Sequence, residues 1–426
     1  MKPKIQQLSN GLRFLKIPYH DTKAVAVLVM AKVGSRYESA KINGVSHFVE
    51  HLLFKGTKKR PNTQILSQEL DKIGAEFNAF TSKDYTGYYI KAQANFIDLA
   101  LDMLADIIFN SKFDAQEIDK ERGVIIEEIN MYEDTPMSLC GELLEELVFG
   151  KQHPLGWFIS GPKKVIQNIT REEIIKYHNT FYQPQNLIVA VAGKFDHYID
   201  AKIKEHFHQP KNNKKITSFK KYKTSQKSEN IFLKFKKTEQ VHLALGFPSF
   251  HYLHPDKAAE NLLAVILGGN MSSRLFINIR EKLGLCYFIR ASSDAYEDSG
   301  IFSIQAGLDK KRIGNAIPAI INELHKIVAE GISEQELKRA KDYLTGRIAL
   351  DLEDSLAIAS WYTRQKLLVN KLLTPEEKLA EYDKIKVSDL QRVAKKIFAK
   401  KYLNLVIIGP YHNKNKFKKY VSKSNL

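Results

Sequence analysis

An α+β fold of two homologous domains, each an antiparallel sheet covered by helices, is what this sequence predicts. Three observations lead there: a diverged internal repeat, a lysine-rich stretch between the copies, and strands set beside helices without strict βαβ alternation. Asp114–Glu128 (DAQEIDKERGVIIEE) lines up with Ser333–Arg347 (SEQELKRAKDYLTGR) at an offset of 219. Thr180–Gly193 (TFYQPQNLIVAVAG) lines up with Lys396–Gly409 (KIFAKKYLNLVIIG) at an offset of 216. Two ungapped matches in the same order, at nearly one offset, mark a duplication. Residues 1–208 and 230–426 are therefore expected to be two copies of one unit, joined by a Lys-rich linker at 209–229.

The elements follow from local pattern. Ala24–Val33 (AVAVLVMAKV) and Thr86–Ala92 (TGYYIKA) are β-branched or aromatic runs and predict strands. Leu187–Ala192 (LIVAVA), ended by Gly193, predicts a short buried strand. Segments 44–55, 95–109, 114–132 and 171–182 have helical periodicity. At 426 residues, one core is a poor expectation and two are a good one.

Charge narrows the function classes. Lys+Arg 65 against Asp+Glu 48 leave a net +17, which invites a nucleic-acid or anionic-membrane reading. Yet residues 1–210 hold 26 basic and 26 acidic side chains, and residues 229–389 hold 22 of each. The excess lies in 211–228, with seven lysines and no acid, and in 390–426, with ten basic residues and no acid. Residues 1–210 and 229–389 are each neutral, and no nucleic-acid motif accompanies these lysines, so no nucleic-acid partner is expected. The two cysteines, Cys140 and Cys286, suit a reducing compartment. The N-terminus lacks an apolar signal core, and no run of 18 apolar residues occurs, so neither a cleaved signal nor a membrane span is expected. The expectation is a cytoplasmic protein.

The chemistry sits in GVSHFVEHLLFKGT. On a helix, His47 and His51 are one turn apart and leave the same face, so both imidazoles can bind one metal ion. Glu50 projects beside them without being needed as a ligand. This is H-x-x-E-H, two nitrogen ligands and a carboxylate base in the reverse of the H-E-x-x-H order. Chance gives about 0.04 such motifs in a chain of this composition. A catalytic zinc needs a third protein ligand and an open position for water. The acidic helix 114–134 is the best donor source. Glu121 and Glu128 are two turns apart and project to nearly the same side, whereas Glu127 is rotated by roughly 100° from Glu128. Geometry thus prefers Glu128, with Glu121 as its companion. In the second copy these positions are Ala340 and Arg347, and no H-x-x-E-H follows the linker. One half is expected to be active and the other an inactive repeat.

Together these motifs resemble the pitrilysin/insulinase family of zinc peptidases, the inverzincins, over nearly the whole chain. The likeness is greatest to short two-domain bacterial members and the catalytic β subunit of mitochondrial processing peptidase. In that family H-x-x-E-H is followed by E-R-x-V-I-x-x-E, here Glu121–Glu128, whose last Glu is the third zinc ligand. The resemblance thus implies one Zn²⁺ per chain on His47, His51 and Glu128. Glu50 would be the general base and Glu121 a carboxylate that orients a ligand from behind. Phe77, Asn78, Ala79 and Phe80 resemble the family's edge strand, on which peptide lies by strand addition. SSRLFINIREKLGLCYFI resembles the segment whose Arg and Tyr, here Arg280 and Tyr287, reach the substrate carbonyl from the opposing half. A chain of this length would be half of a clamshell peptidase acting on peptides or unfolded polypeptides. It would pair as a homodimer, or as a heterodimer with an inactive sister. The competing reading is a non-catalytic structural or binding subunit of the same fold, like the related core proteins of respiratory complexes.

Overall fold

The computed structural model describes residues 2–19, 21–210 and 216–422. Residues 211–215 of the expected linker and 423–426 of the basic tail lie outside the described residues. By contacts the chain forms two compact units. One comprises Met1–Ile129, Trp157–Lys220 and Ile348–Pro375, and the other Asn130–Gly156, Lys221–Arg347 and Glu376–Leu426.

The first unit is built on strands β1 (Lys4–Gln7), β2 (Arg13–Pro18), β3 (Ala24–Ala31), β4 (Glu76–Thr81), β5 (Thr86–Gln93) and β6 (Leu187–Gly193). They form one sheet in the order β1-β2-β6-β3-β5-β4. Its helices include α1 (Val45–Leu53), α2 (Thr63–Asp71), α3 (Ile97–Asn110) and most of α4 (Ala115–Asp134). The run AVAVLVMA explains why β3 is central. Side chains alternate across a sheet, so Val25, Val27 and Val29 share one core with Phe48 and Leu52 of α1, Leu66 of α2, Leu101 of α3 and Ile125 of α4. Ala26, Leu28 and Met30 point the other way and are equally buried. Helix Ser355–Leu368, which packs on β3 and β6, covers that face. Its N-terminus is capped by Asp354, which accepts from the Leu356 and Ala357 amides and pairs with Lys91 of β5 at 2.6 Å.

The second unit repeats the plan with β7 (Asn230–Phe235), β8 (Gln240–Ser249), β9 (Cys286–Ala295), β10 (Gly300–Asp309) and β11 (Asn404–Gly409). Their order is β7-β11-β8-β10-β9. Here α5 (Pro136–Phe149) packs on β8, β10 and β11. The α5 helix and Ser355–Leu368 occupy matching places in the repeat, so each half of the sequence supplies the helix that covers the other half's sheet. A central strand apolar on both faces needs a second apolar cover, and this exchange provides it.

One expectation is corrected. The sheets are mixed rather than purely antiparallel: β2 runs parallel to β6, and β7 parallel to β11. A parallel pair needs a long crossover connection, here all the strands and helices between the two members, and strand patterns alone do not reveal the direction of a distant partner. Among the described residues no helix is long and apolar enough to cross a membrane.

Candidate metal centre

The site begins with the start of α1. Gly44 has φ +100°, a left-handed turn that glycine adopts without steric cost. A Cβ at this position would meet Ser160 O and Ile166 Cδ1 at 2.6 Å. The exposed amides of the first turn are capped by Glu38, whose Oε2 accepts from Gly44 N at 2.7 Å and Asn43 Nδ2 at 2.8 Å. Its Oε1 accepts from Ser46 N at 2.8 Å. Burial pushes the Glu38 carboxyl up to about 7, against the pull of these hydrogen bonds. Val45, Phe48, Val49 and Leu52 are buried, which turns the remaining stripe of α1 outward from the core. That stripe carries His47, Glu50 and His51.

Across from it, α4 buries Ile118, Glu121, Ile125 and Ile129. The same periodicity brings Glu128 toward the histidines, while Glu127 is exposed. Nε2 of His47 and Nε2 of His51 are 3.1 Å apart, and Glu128 Oε2 is 3.5 Å from each of them. Tetrahedral zinc with bonds of about 2.0–2.1 Å needs ligand atoms about 3.3–3.4 Å apart. The triangle fits that requirement. The donor set fits as well, since three lone-pair donors this close repel one another unless a positive charge lies among them. Among the described residues, His47, His51 and Glu128 are the one group able to close on an ion in this way.

The two imidazoles are not equivalent. His51 Nδ1 lies 2.9 Å from Glu121 Oε1, and the other oxygen of Glu121 pairs with Lys55 Nζ at 2.6 Å. This places the His51 Nδ1 proton toward Glu121 and turns Nε2 to the triad, the carboxylate–histidine arrangement common behind metal ligands. Burial depresses His51, but its bonds to Glu121 and Glu128 outweigh that and push it up to about 9. Burial and the neighbouring His51 hold His47 down at about 4, and His47 Nδ1 is buried with no hydrogen-bond partner. Burial raises Glu121 less than His51 and Lys55 lower it, so it stays below the usual carboxylate range. Glu128 is likewise lowered, first by its bond to His51.

Glu50 lies outside this triangle. Its Oε2 accepts a 2.5 Å hydrogen bond from Thr81 Oγ1 at the end of β4. Burial raises the Glu50 carboxyl above its ordinary value, and the Thr81 bond pulls it partly back. A raised carboxyl beside a metal-sized triangle is suited to exchanging a proton with water. Phe77, Asn78, Ala79 and Phe80 lie on β4, which pairs with β5 on one side and forms an edge of the sheet. In the second unit, the helical segment Phe276–Lys282 carries Arg280, and β9 carries Tyr287. Arg280 Cζ is 4.5 Å from the Phe276 ring and 6.0 Å from the Tyr287 ring, and Tyr287 is 75% exposed.

Glu38, Lys55 and Thr81 were not singled out as site residues from sequence. Lys55 had a usable signal, being one helical turn beyond His51. Glu38 caps through a loop and Thr81 reaches Glu50 from a strand 31 residues away, so neither carries a local spacing signature.

Comparison with known proteins agrees with the geometry. Residues 14–162 match the family described as "Insulinase (Peptidase family M16)", and residues 168–344 match "Peptidase M16 inactive domain". The chain is similar to a protein of Bacillus subtilis named "Uncharacterized zinc protease YmxG", 34% identical over 95% of this chain and 97% of that one. It is similar to an uncharacterized zinc protease of Rickettsia felis, 37% identical over 95% and 97%. Among solved structures, a protease from Helicobacter pylori superposes with a TM-score of 0.90 at 28% identity, over 96% of this chain and 99% of that one. These likenesses run nearly end to end in every chain compared. The chain belongs to the pitrilysin/insulinase family, peptidase family M16, as one of its short two-domain members.

Proposed function

We propose that this chain is a zinc-dependent endopeptidase acting on peptides or unfolded polypeptides. The observation that carries the reading is the triangle of His47 Nε2, His51 Nε2 and Glu128 Oε2, with sides of 3.1 and 3.5 Å, beside a carboxyl that is not part of it. His47, His51 and Glu128 would hold the ion. Zinc, when bound, supplies Lewis acidity toward a peptide carbonyl and toward water. Glu50 takes the proton of the attacking water and delivers it to the departing amine nitrogen. Backbone groups of Phe77–Phe80 bind the peptide as an added strand. Residues 1–208 contribute this machinery. Residues 230–426 contribute Arg280 and Tyr287, donors for the charge that develops on the carbonyl oxygen.

Cleavage of a quenched peptide should stop when a chelator removes the metal and return when zinc is added. Metal analysis should find one zinc per chain. Cleavage that survives complete chelation would sink the reading, and zinc-loaded protein that cleaves nothing would leave the non-catalytic one.

Two side chains should act through others. Glu121→Ala removes the acceptor behind His51 and should weaken zinc affinity about 10–100-fold, read by competition with a chromogenic chelator. Thr81→Val removes a bond to a carboxylate worth about 1.5–3 kcal/mol. It should lower kcat by about one to two orders of magnitude with zinc content unchanged, and Thr81→Ser should recover most of the loss.

The working form is proposed to be a homodimer, which a solution mass of twice 48.8 kDa would support and a monomer would contradict. A cytoplasmic location agrees with the free thiols of Cys140 and Cys286 and would be checked by cell fractionation.

A further inference from the structure

The repeat makes the two sheets comparable strand by strand, and one strand has no counterpart. In the first unit β2 lies parallel to β6, with Arg13 opposite Ile188. In the second, β7 lies parallel to β11, with Asn230 opposite Asn404. The outer edge of β2 is covered by β1, whose Lys4–Gln7 pair antiparallel with Lys16–Arg13. The corresponding stretch of β7, Asn230–Leu233, has no strand beside it among the described residues.

The Asn230 amide donates to Leu403 O and the Lys236 amide to Gly409 O. By the two-residue period of a strand, the alternate groups of Ile231, Leu233 and Phe235 therefore turn to the open edge. A cavity of about 330 Å³ runs along this edge, lined by Ile231, Leu233, Phe235, Tyr411, His412 and Lys414 among others. Its wall is held in place: Tyr411 Oη donates to Lys310 O at 2.7 Å, and Phe235 stacks on His412 with ring centroids 4.2 Å apart. Phe235 is nevertheless 50% exposed. Strand-pairing groups and apolar pockets for alternate side chains are the two requirements of peptide capture by strand addition.

Charge selects the occupant. Lys414 lines the groove, which no carboxylate lines, and Lys234 lies beside it on β7, while Lys236 further along is already paired with Asp134 at 2.9 Å. Lys234 and Lys414 make no ion pair among the described residues. A second copy of β7 would set these lysines against its own, and like charges across paired strands are destabilising. We propose that the outer edge of β7 is a docking site for an acidic, extended segment of another polypeptide, which adds antiparallel in the place that β1 fills in the first unit. The site gives the basic tail a role that the metal centre does not use.

The test uses a fluorescein-labelled peptide of alternating glutamate and valine, titrated by anisotropy against the full chain and against its Glu50→Gln form, which avoids cleavage. Saturable binding is expected, weakening as salt is raised, with no binding of the lysine/valine counterpart. Lys414→Glu changes only a surface charge, and Leu233→Glu puts a like charge in the groove. Each should weaken binding at least about tenfold, with the thermal melt of Lys414→Glu unchanged. The proposal is overturned if the peptide does not bind, or if both variants bind it as well as the parent, which would put it elsewhere. Self-association that Leu233→Glu abolishes would also overturn it, because the edge would then belong to a second copy.

Discussion

Glu50→Gln is expected to lower kcat for peptide cleavage by about 10²–10⁴-fold, the range over which a positioned acid–base group contributes, while zinc binds as before. The separation of the two readouts follows from position. Glu50 leaves the same helix as His47 and His51, but its carboxylate is engaged by Thr81 at 2.5 Å and stands outside the ligand triangle. The amide retains shape and the Thr81 contact and loses the capacity to take a proton. Burial already raises the native carboxyl, so the neutral substitute adds no desolvation cost and the protein should remain folded. Zinc content by atomic absorption and single-turnover cleavage, measured on the same preparation, decide the matter. Cleavage at the parent rate would remove Glu50 from the chemistry, and loss of zinc would make it a ligand.

What the sequence reveals about this site follows the range of the interactions. His47 and His51 are set by one helical turn, and Glu128 over Glu127 by two turns of α4 counted from Glu121, so spacing alone makes them candidates. In the structure Glu121 lies 2.9 Å from His51 Nδ1 and Glu128 3.5 Å from His51 Nε2. Glu38, which caps α1, is held by a loop conformation that depends on Gly44. Thr81 meets Glu50 because β4 packs beside α1. Neither contact has a period that could be read along the chain.

The fold divides the same way. The runs at Ala24–Ala31 and Leu187–Gly193 are recognisable as strands because each residue is apolar whichever face it takes. That very property conceals what covers the second face. The covering helices, α5 and Ser355–Leu368, come from the opposite copies, and their amphipathic patterns say only that something apolar lies beneath them. The repeat offers the missing clue. The two helices match at the offset of 219 that aligns Asp114–Glu128 with Ser333–Arg347, so one exchange implies the other.

Arg36→Ala should cost about 3–5 kcal/mol of stability, the usual consequence of removing one member of a buried ion pair. Arg36 Nη1 meets Asp84 Oδ1 at 2.8 Å, and both side chains are 0% exposed. Phe219 stacks on the guanidinium, with Cζ 3.6 Å from the ring centre. The surrounding backbone is drawn in equally tightly. The Ser35 amide donates to Ser82 O and the Arg36 amide to Lys83 O, both at 3.1 Å, and a Cβ on Gly34 would collide with the same two carbonyls. The pair therefore joins the loop leading to Glu38, and so to the cap of α1, with the β4–β5 turn that follows Thr81. Loss of Arg36 should loosen the helix of His47 and His51 and the Glu50 anchor together. Urea denaturation should show the loss of stability, and zinc affinity should fall with it, although neither residue approaches the triad's ligand atoms. In the double variant Arg36→Met with Asp84→Leu neither charge of the pair remains buried, so stability should recover more than zinc affinity does. If Arg36→Ala proves nearly neutral, the pair does not hold the loop; if the double variant is worse than the single one, Asp84 has a role independent of Arg36.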